Sequence, residues 1–265
     1  WPHCEQAKLP FVRVRDTRRT WAMMWSRFCS EPQKKMRIYG ITGTNGKTST
    51  ACFLARILSC AGRRCALIGT LPVMVDGDRY VPSGSSLYDD RLSTMTTPDP
   101  DLLFPLLREL YDDGVRDAVM EVSSQALDAE RVAPICFATG AFCNLSPEHL
   151  DSHGDMESYA EAKSKLFFLS ERGVVNADDP WVGKVTQNAR CPLISVSSAG
   201  NKADYSALGV RYLGLAGVSY TMQHHAEKIT IDMQIPGRFS VENSLMAAAV
   251  ATEAGVRPSV VRCAL

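Results

Sequence analysis

The sequence predicts an α/β fold, a doubly wound and mainly parallel sheet that carries a phosphate-binding loop. Predicted strands and helices alternate along most of the chain, which is the order that builds a parallel sheet. A glycine-bearing turn at 43–47 joins the first strand to the first helix of that alternation. Two strand-like segments after residue 203 predict a small β-hairpin at the sheet edge. A functional site in such a sheet is expected at the carboxyl ends of the strands.

Each element follows from the spacing of its apolar residues. Large apolar side chains recur at helical spacing over 17–29, which predicts an amphipathic helix ahead of the main domain. Short apolar runs predict strands at 36–42, 65–69, 117–122 and 137–145, one ending at 176, and the hairpin strands 218–223 and 228–235. The predicted helices are 48–61, 100–113, 156–170, one from 180 onward, and 240–254. The segments 71–97 and 144–155 are too long for plain connections, so we expect them to carry function.

Composition excludes several classes of function. The 265 residues include 29 Lys and Arg against 29 Asp and Glu, so no overall basic field attracts nucleic acid or an anionic membrane. Nine cysteines without a CxxC pair predict neither a zinc site nor a disulfide framework, and hence a reducing, cytoplasmic compartment. The sequence contains no signal peptide and no apolar run near the roughly 20 residues of a membrane span. Because the chain begins at Trp1 without Met, we expect a fragment.

The turn after the first predicted strand has residues suited to binding phosphate. Its backbone N–H groups and the N-terminus of the following helix favour an anion. We expect Lys47 to reach the β and γ phosphates of a nucleotide and the Thr48 hydroxyl to bind Mg²⁺. The spacing is GxxGKT rather than GxxxxGK[ST], so an ordinary glycine-rich turn with a solvated lysine is the alternative. The predicted nucleotide-binding residues are Gly43, Thr44, Asn45, Gly46, Lys47, Thr48 and Ser49.

Six segments resemble the Mur ligase family in order and spacing, and the similarity is greatest to its MurE type. They are GITGTNGKTST, TMTTPDP, MEVSSQALDAERV, NLSPEHLDSHGDMESYAEAKSKLF, NADDP and IPGRFSVEN. The resemblance runs from about residue 12 to 265. It implies that 1–36 are the end of the family's UDP-binding first domain with a linker, and that 37–265 are its central ATP-binding domain. The family's carboxyl-terminal ligase domain has no counterpart in this chain.

The resemblance also implies a magnesium site. It makes Glu121 and His149 metal ligands, with Thr48 beside the nucleotide's own Mg²⁺. It makes Lys163 a lysine that CO₂ carbamylates, giving a carboxylate that helps to hold a second Mg²⁺. The alternatives are a surface ion pair for Glu121, a cap or loop histidine for His149, because imidazole is an unusual Mg²⁺ ligand, and a solvated helix position for Lys163. Lys165 is predicted to be a solvated lysine on the same helix. The predicted catalytic residues are Lys47, Glu121, His149 and Lys163.

Other positions match those at which the family binds its sugar-peptide substrate and adenine. They are Thr96, Thr97, Ser123 and Arg131 for the substrate, and Asn243 for adenine. Hydroxyl groups and a bidentate guanidinium suit phosphate or carboxylate groups. The alternatives are loop and helix caps, and a surface charge for the arginine. The sequence departs from the family pattern at three positions: Met95 replaces a frequent Asn, Ala129 replaces a substrate-binding Gln, and Ser240 replaces the first Asn of GxFNxxN.

The function that the resemblance implies is an ATP-dependent amide ligation in peptidoglycan synthesis, and thus in cell-wall growth, cell shape and division. The expected substrates are ATP, UDP-N-acetylmuramoyl-L-alanyl-D-glutamate and an amino acid, with L-lysine and meso-diaminopimelate left open. An acyl phosphate is the expected intermediate. We expect a cytoplasmic monomer, and we expect that the 265 residues alone do not catalyse the ligation. The alternatives are a folylpolyglutamate synthase, another Mur-type ligase, or a non-catalytic nucleotide-binding fragment; a P-loop GTPase is disfavoured because no NKxD motif is present.

Overall fold

The computed structural model describes residues 12–82, 95–148 and 154–265. Within these ranges the strands are β1 (Arg37–Thr42), β2 (Cys65–Ile68), β3 (Met74–Val75), β4 (Asp78–Arg79), β5 (Asp117–Glu121), β6 (Thr139–Phe142), β7 (Gly173–Asn176), β8 (Leu193–Ser197), β9 (Tyr205–Tyr212), β10 (Val218–His224) and β11 (Glu227–Met233). The α-helices are α1 (Thr17–Phe28), α2 (Lys47–Cys60), α3 (Pro100–Asp112), α4 (Ser124–Asp128), α5 (Met156–Phe168), α6 (Val182–Thr186), α7 (Arg238–Glu253) and α8 (Pro258–Ala264).

All described strands belong to one sheet, in the order β11-β10-β9-β8-β7-β6-β1-β5-β2-β3-β4. The run from β2 to β9 pairs in parallel, and antiparallel pairs extend both edges. Strand β1 therefore lies inside the sheet, between β5 and β6. The α/β fold with a mainly parallel sheet is confirmed, and so is the edge hairpin, formed by β10 and β11.

The sheet is buried on both faces, which explains its continuous apolar strands. Tyr39 and Ile41 of β1 point to the face covered by α2, α7 and α8. Ile38 of β1, with Ala118 and Met120 of β5, points to the opposite face, covered by α1 and α3. Successive side chains of these strands thus point alternately into the two cores. This packing fixes the first turn of α2 and the ends of β1 and β5.

Several element bounds differ from the sequence prediction. The strand predicted at 137–145 is limited to Thr139–Phe142, and the helix predicted from 180 is the short α6. Strands β8 and β9 and helices α4 and α8 were not predicted. Polar and glycine residues interrupt the apolar pattern of β9, whose outer half is exposed, so its periodicity is weak. The hairpin of β3 and β4 occupies part of the segment predicted as the loop 71–97.

Helix α1 packs against α3, and so the described part of residues 1–36 contacts the central fold. Asp16 caps α1 by accepting a hydrogen bond from the Arg19 N–H at 2.9 Å. Assignment of residues 1–36 to a separate first domain stays a prediction. Among the described helices, none combines the length and apolar character needed to cross a membrane.

Candidate functional site

The phosphate-binding loop lies at the carboxyl end of β1, between the ends of β5 and β6. Gly46 adopts a left-handed backbone with φ of 83°, and a Cβ placed there would lie 2.3 Å from Asn243 Oδ1. Glycine is therefore required at position 46 by both conformation and space. Helix α2 begins at Lys47, and because the first N–H groups of a helix have no acceptor within it, they are suited to an anion.

Asn144 fixes the backbone of this loop. Its backbone carbonyl accepts from the Thr44 N–H at 2.9 Å, and its side-chain Oδ1 accepts from the Asn45 N–H at 2.9 Å. Its Nδ2 donates in return to the Asn45 carbonyl at 3.0 Å. Asn45 Nδ2 also donates to Glu148 Oε1 at 3.2 Å. These bonds tie the loop to the segment that follows β6, which the sequence prediction had marked as functional.

Lys47 folds back over the loop from which it arises. Its Nζ donates to the carbonyls of Gly43 and Thr44, at 2.9 Å each. Burial lowers the pKa of Lys47 from its ordinary value, and the nearby carboxylate of Glu121 opposes that effect. The ammonium is thus held against the backbone of the loop.

Glu121 ends β5 and is only 1% exposed. Its Oε2 accepts from the Thr48 hydroxyl at 3.0 Å and from the Thr70 hydroxyl at 3.2 Å, while its Oε1 accepts from the Thr70 N–H at 2.9 Å. The surface-ion-pair alternative is therefore wrong, because the carboxylate is buried against hydroxyl and backbone donors. Thr48 and Glu121 lie together, as predicted for a site built around the loop.

Lys163 is 1% exposed and points at the loop, so the solvated alternative for this residue is wrong. Its Nζ donates to the Gly43 carbonyl at 3.0 Å, which also accepts from Lys47, and lies 4.4 Å from the centre of the Tyr159 ring. Burial, reinforced by the charge of Lys47, lowers the pKa of Lys163 to about 7. No carboxylate of the described residues forms an ion pair with it. Lys165, in contrast, pairs with Asp128 at 2.7 Å on a partly exposed surface.

His149 lies outside the described residues, and its role as a ligand stays a prediction. In the described ranges no group of three His, Cys, Asp or Glu side chains could hold a metal. Magnesium, however, is commonly bound by one or two carboxylates together with phosphate oxygens and water. The buried Glu121 carboxylate and the Thr48 hydroxyl, 3.0 Å apart beside a phosphate-binding loop, fit that requirement.

The predicted substrate residues meet where the Thr96–Thr97 segment crosses the end of β5. The Thr97 hydroxyl donates to the Glu121 carbonyl at 2.9 Å and accepts from the Ser123 N–H at 2.9 Å. Ser123 also caps α4 through its side chain, accepting from the N–H three residues on. Arg131 donates to the Thr97 carbonyl at 2.9 Å and pairs with Asp99. The structure thus gives these side chains structural contacts and leaves their binding role a prediction.

Two cavities are each lined by one of the predicted binding residues, Arg131 in the first and Asn243 in the second. One of about 380 Å³ is lined by Arg18, Trp21, Asp99, Pro100, Asp101, Ala129 and Arg131. A narrow one beside the loop is lined by Cys143, Asn144, Asn176, Val196, Ser198, Glu242, Asn243, Leu245 and Met246. Asn243 therefore faces both Gly46 and the second cavity, as its predicted place beside a nucleotide base requires. A larger cavity of about 650 Å³ lies along α2 near Arg56 and Arg63, and none of the predicted site residues line it.

Sequence reasoning missed Gly69 and Thr70, which both touch the Glu121 carboxylate. A Cβ at Gly69 would lie 2.3 Å from Glu121 Oε1. The available signal was the Gly-Thr pair at the carboxyl end of the predicted strand 65–69, at the sheet edge where the site was expected. The departure at Ser240 has a local explanation, since its hydroxyl donates to the Pro236 carbonyl at 2.8 Å in the first turn of α7.

The fold and the loop define a P-loop α/β domain. Residues 41–251 match the family described as Mur ligase middle domain, and the chain therefore belongs to the Mur ligase family.

Relatives and solved structures agree with this assignment. The chain is 37% identical over 257 residues to UDP-N-acetylmuramoyl-L-alanyl-D-glutamate--2,6-diaminopimelate ligase of Caldanaerobacter subterraneus subsp. tengcongensis, a match covering 96% of this chain and 50% of that relative. It is 34% identical over 253 residues to the ligase of the same name from Corynebacterium glutamicum, covering 93% and 47%. A solved structure of a ligase of this name superposes with a TM-score of 0.80 at 27% identity, covering 95% of this chain and 50% of that one. Apo FPGS of L. casei shares the fold alone, with a TM-score of 0.75 at 16% identity over 96% of this chain and 68% of that chain. The chain spans about half the length of the curated relatives it matches.

Proposed function

We propose that this chain is the ATP-binding part of a cytoplasmic ligase that adds an amino acid to UDP-N-acetylmuramoyl-L-alanyl-D-glutamate. The observation that carries the proposal is the convergence of Lys47, Thr48, Glu121 and Lys163 on one loop, in a chain whose named relatives are ligases of this kind. Those relatives are diaminopimelate ligases, which favours diaminopimelate over L-lysine as the added amino acid.

The loop and Lys47 are proposed to bind the phosphates of ATP. An incoming phosphate offers the Lys47 ammonium an anionic acceptor in place of the two neutral carbonyls it now contacts, which adds a charge–charge attraction. The positive side chain then neutralises charge on the transferred phosphoryl group. Such electrostatic stabilisation is the main catalytic task in phosphoryl transfer.

Glu121 and Thr48 are proposed to hold Mg²⁺, which neutralises phosphate charge when bound. The Thr48 hydroxyl can donate its hydrogen to Glu121 and still present its lone pairs to a cation. His149 is the further proposed ligand.

Lys163 is proposed to be carbamylated. The ammonium first loses one proton, and the neutral amine then adds to CO₂, forming an N–C bond and releasing a second proton, so that a cationic side chain becomes an anionic one. The buried site and the adjacent Lys47 favour the neutral amine, which this addition needs. The unmodified Lys163 ammonium repels the cationic Lys47, whereas the carbamate would attract it. The carbamate would also supply an oxygen ligand to the metal site.

The sugar-peptide substrate is proposed to lie along Thr96, Thr97, Ser123 and Arg131. The cavity of about 380 Å³ supports this position, since Arg131 and Arg18 line it and can pair with an anionic group. Ala129, where the family pattern has Gln, leaves more room in that cavity. The substrate carboxylate would attack the γ-phosphate of ATP, breaking the bond to the β,γ-bridging oxygen, so that an acyl phosphate forms and ADP leaves. The amine of the amino acid would then displace phosphate, because phosphate is a far better leaving group than the oxygen of a free carboxylate.

Mass spectrometry of amide formation tests the proposal in the protein that contains this chain. Product should form with ATP, the UDP-sugar dipeptide and diaminopimelate, and residues 1–265 alone should not turn over. Lys163→Ala should lose most of the activity, and added acetate should restore part of it by occupying the vacated space. Lys165→Ala, the matched control on α5, should keep parental activity. Absence of product with either amino acid, or a fully active Lys163→Ala protein, would contradict the proposal.

A further inference from the structure

Thr70 lies outside the predicted site residues but contacts two of them. It lies two residues after the end of β2, and β2 lies next to β5 in the sheet. Its backbone N–H and its hydroxyl both donate to the Glu121 carboxylate, at 2.9 and 3.2 Å, one to each oxygen. This two-point contact fixes the plane of the carboxylate as well as its position.

The hydroxyl of Thr70 also joins the carboxylate to the segment proposed to bind substrate. Thr70 Oγ1 lies 3.3 Å from Thr96 Oγ1. A threonine hydroxyl has one hydrogen to donate, and in Thr70 that hydrogen is directed to Glu121. Thr96 must therefore be the donor in the second contact, which gives a directed chain from Thr96 through Thr70 to Glu121.

The contacts of Glu121 leave little acceptor capacity unused. A carboxylate has about four lone-pair positions, and Thr48 and the two donors of Thr70 occupy three of them. Glycine at position 69 leaves the space that this carboxylate occupies, because a Cβ there would lie 2.3 Å from Oε1. The orientation of the group is therefore set before any ligand binds.

We propose that Thr70 is a positioning residue, which orients the Glu121 carboxylate for a divalent cation bound with ATP and links it to Thr96. The inference rests on the proposed function, since it requires that Glu121 meets a metal. Residues that orient a metal ligand from behind commonly contribute tenfold or more to metal affinity. Here phosphate oxygens share the metal, so we expect a smaller effect.

The test is Mn²⁺ binding to residues 1–265 in the presence of ATP, followed by electron paramagnetic resonance with Mn²⁺ in place of Mg²⁺. Thr70→Val keeps the backbone donor and the side-chain shape but removes the hydroxyl, and it should weaken Mn²⁺ binding about fivefold. Thr70→Ser should restore affinity to within about twofold of the parent. ATP binding without metal should be the same in all three proteins. Thr252→Val is the matched control, because the Thr252 hydroxyl donates to the Ala248 carbonyl in α7, away from Glu121 and the loop.

A second variant addresses the same carboxylate without touching Thr70. Gly69→Ala should displace Glu121 Oε1 and weaken Mn²⁺ binding by at least as much as Thr70→Val. If the parent binds Mn²⁺ with ATP and Thr70→Val binds it equally well, the positioning role is wrong while the proposed function stands. If the parent shows no metal-dependent ATP binding, the proposed function fails and the inference fails with it.

Discussion

Replacement of Lys163 by methionine should stabilise the protein in the absence of ligands. Methionine has a similar length and no charge, so it removes a buried amine while keeping the packing. The lowering of the Lys163 pKa from its ordinary value of 10.5 to about 7 corresponds to roughly 5 kcal/mol by which the buried ammonium destabilises the folded state at low pH. The substitution also loses a hydrogen bond and a contact with the Tyr159 ring, together worth about 2 kcal/mol. The Gly43 carbonyl keeps Lys47 as a donor, so no buried acceptor is left unpaired.

The stability that Lys163→Met gains over the parent should decrease as the pH rises. Below pH 7 both the folded and the unfolded chain carry the proton on Lys163, and the whole cost of the buried ammonium weighs on the folded state. Between pH 7 and about 10 the folded parent binds fewer protons than its unfolded chain, so its stability rises with pH. Lys163→Met should therefore be more stable than the parent by about 3 kcal/mol at pH 6, and this advantage should disappear near pH 9, where the remaining cost of the buried amine equals the interactions lost.

Urea unfolding at pH 6 and pH 10 in CO₂-free buffer measures both quantities. Lys165→Met is the control, because its ammonium is partly exposed and paired with Asp128. It should show a difference below about 1 kcal/mol at either pH. A Lys163→Met protein that is less stable than the parent at pH 6, or whose advantage does not change with pH, would refute the assignment of a buried, destabilising amine.

Two further predictions concern the frame of the site. Gly46→Ala should cost at least about 1 kcal/mol of stability by urea unfolding, because φ is 83° and the new Cβ would meet Asn243 Oδ1; Asn243→Gly should recover only part of that loss, and full recovery would show that the backbone is not strained. Asp117→Ala should destabilise the protein by about 3–5 kcal/mol, since this buried carboxylate accepts from Arg63, Arg37 and the hydroxyl of Tyr39. Arg37→Ala, which removes its exposed partner, should cost below about 1 kcal/mol, and equal effects of the two variants would contradict the stated burial.

The parts of the fold that depend on local pattern were predicted from the sequence. The strand, glycine turn and helix around Lys47 lie as expected because each is encoded within about 20 contiguous residues. The contact of Thr70 with Glu121 could not be predicted in that way. It depends on the position of β5 between β1 and β2 in the sheet, although β5 comes after both of them in the sequence.

Lys163 shows a second limit. Helical periodicity places it in a charged segment, where a solvated position is the natural expectation, and only the family resemblance marked it. Its burial follows from the packing of α5 against the loop end of β1, a contact between elements about 120 residues apart. His149 and residues 83–94 lie outside the described ranges, and the predictions made for them stay predictions.

Calorimetric titration of residues 1–265 with ATP, with and without Mg²⁺, tests the central claim most directly. The parent should bind ATP more tightly when Mg²⁺ is present. Lys47→Ala should lose at least tenfold in affinity, about 1.4 kcal/mol, because it removes the ammonium held over the loop. Equal binding by Lys47→Ala and the parent, or no ATP binding by the parent, would contradict a nucleotide site at this loop.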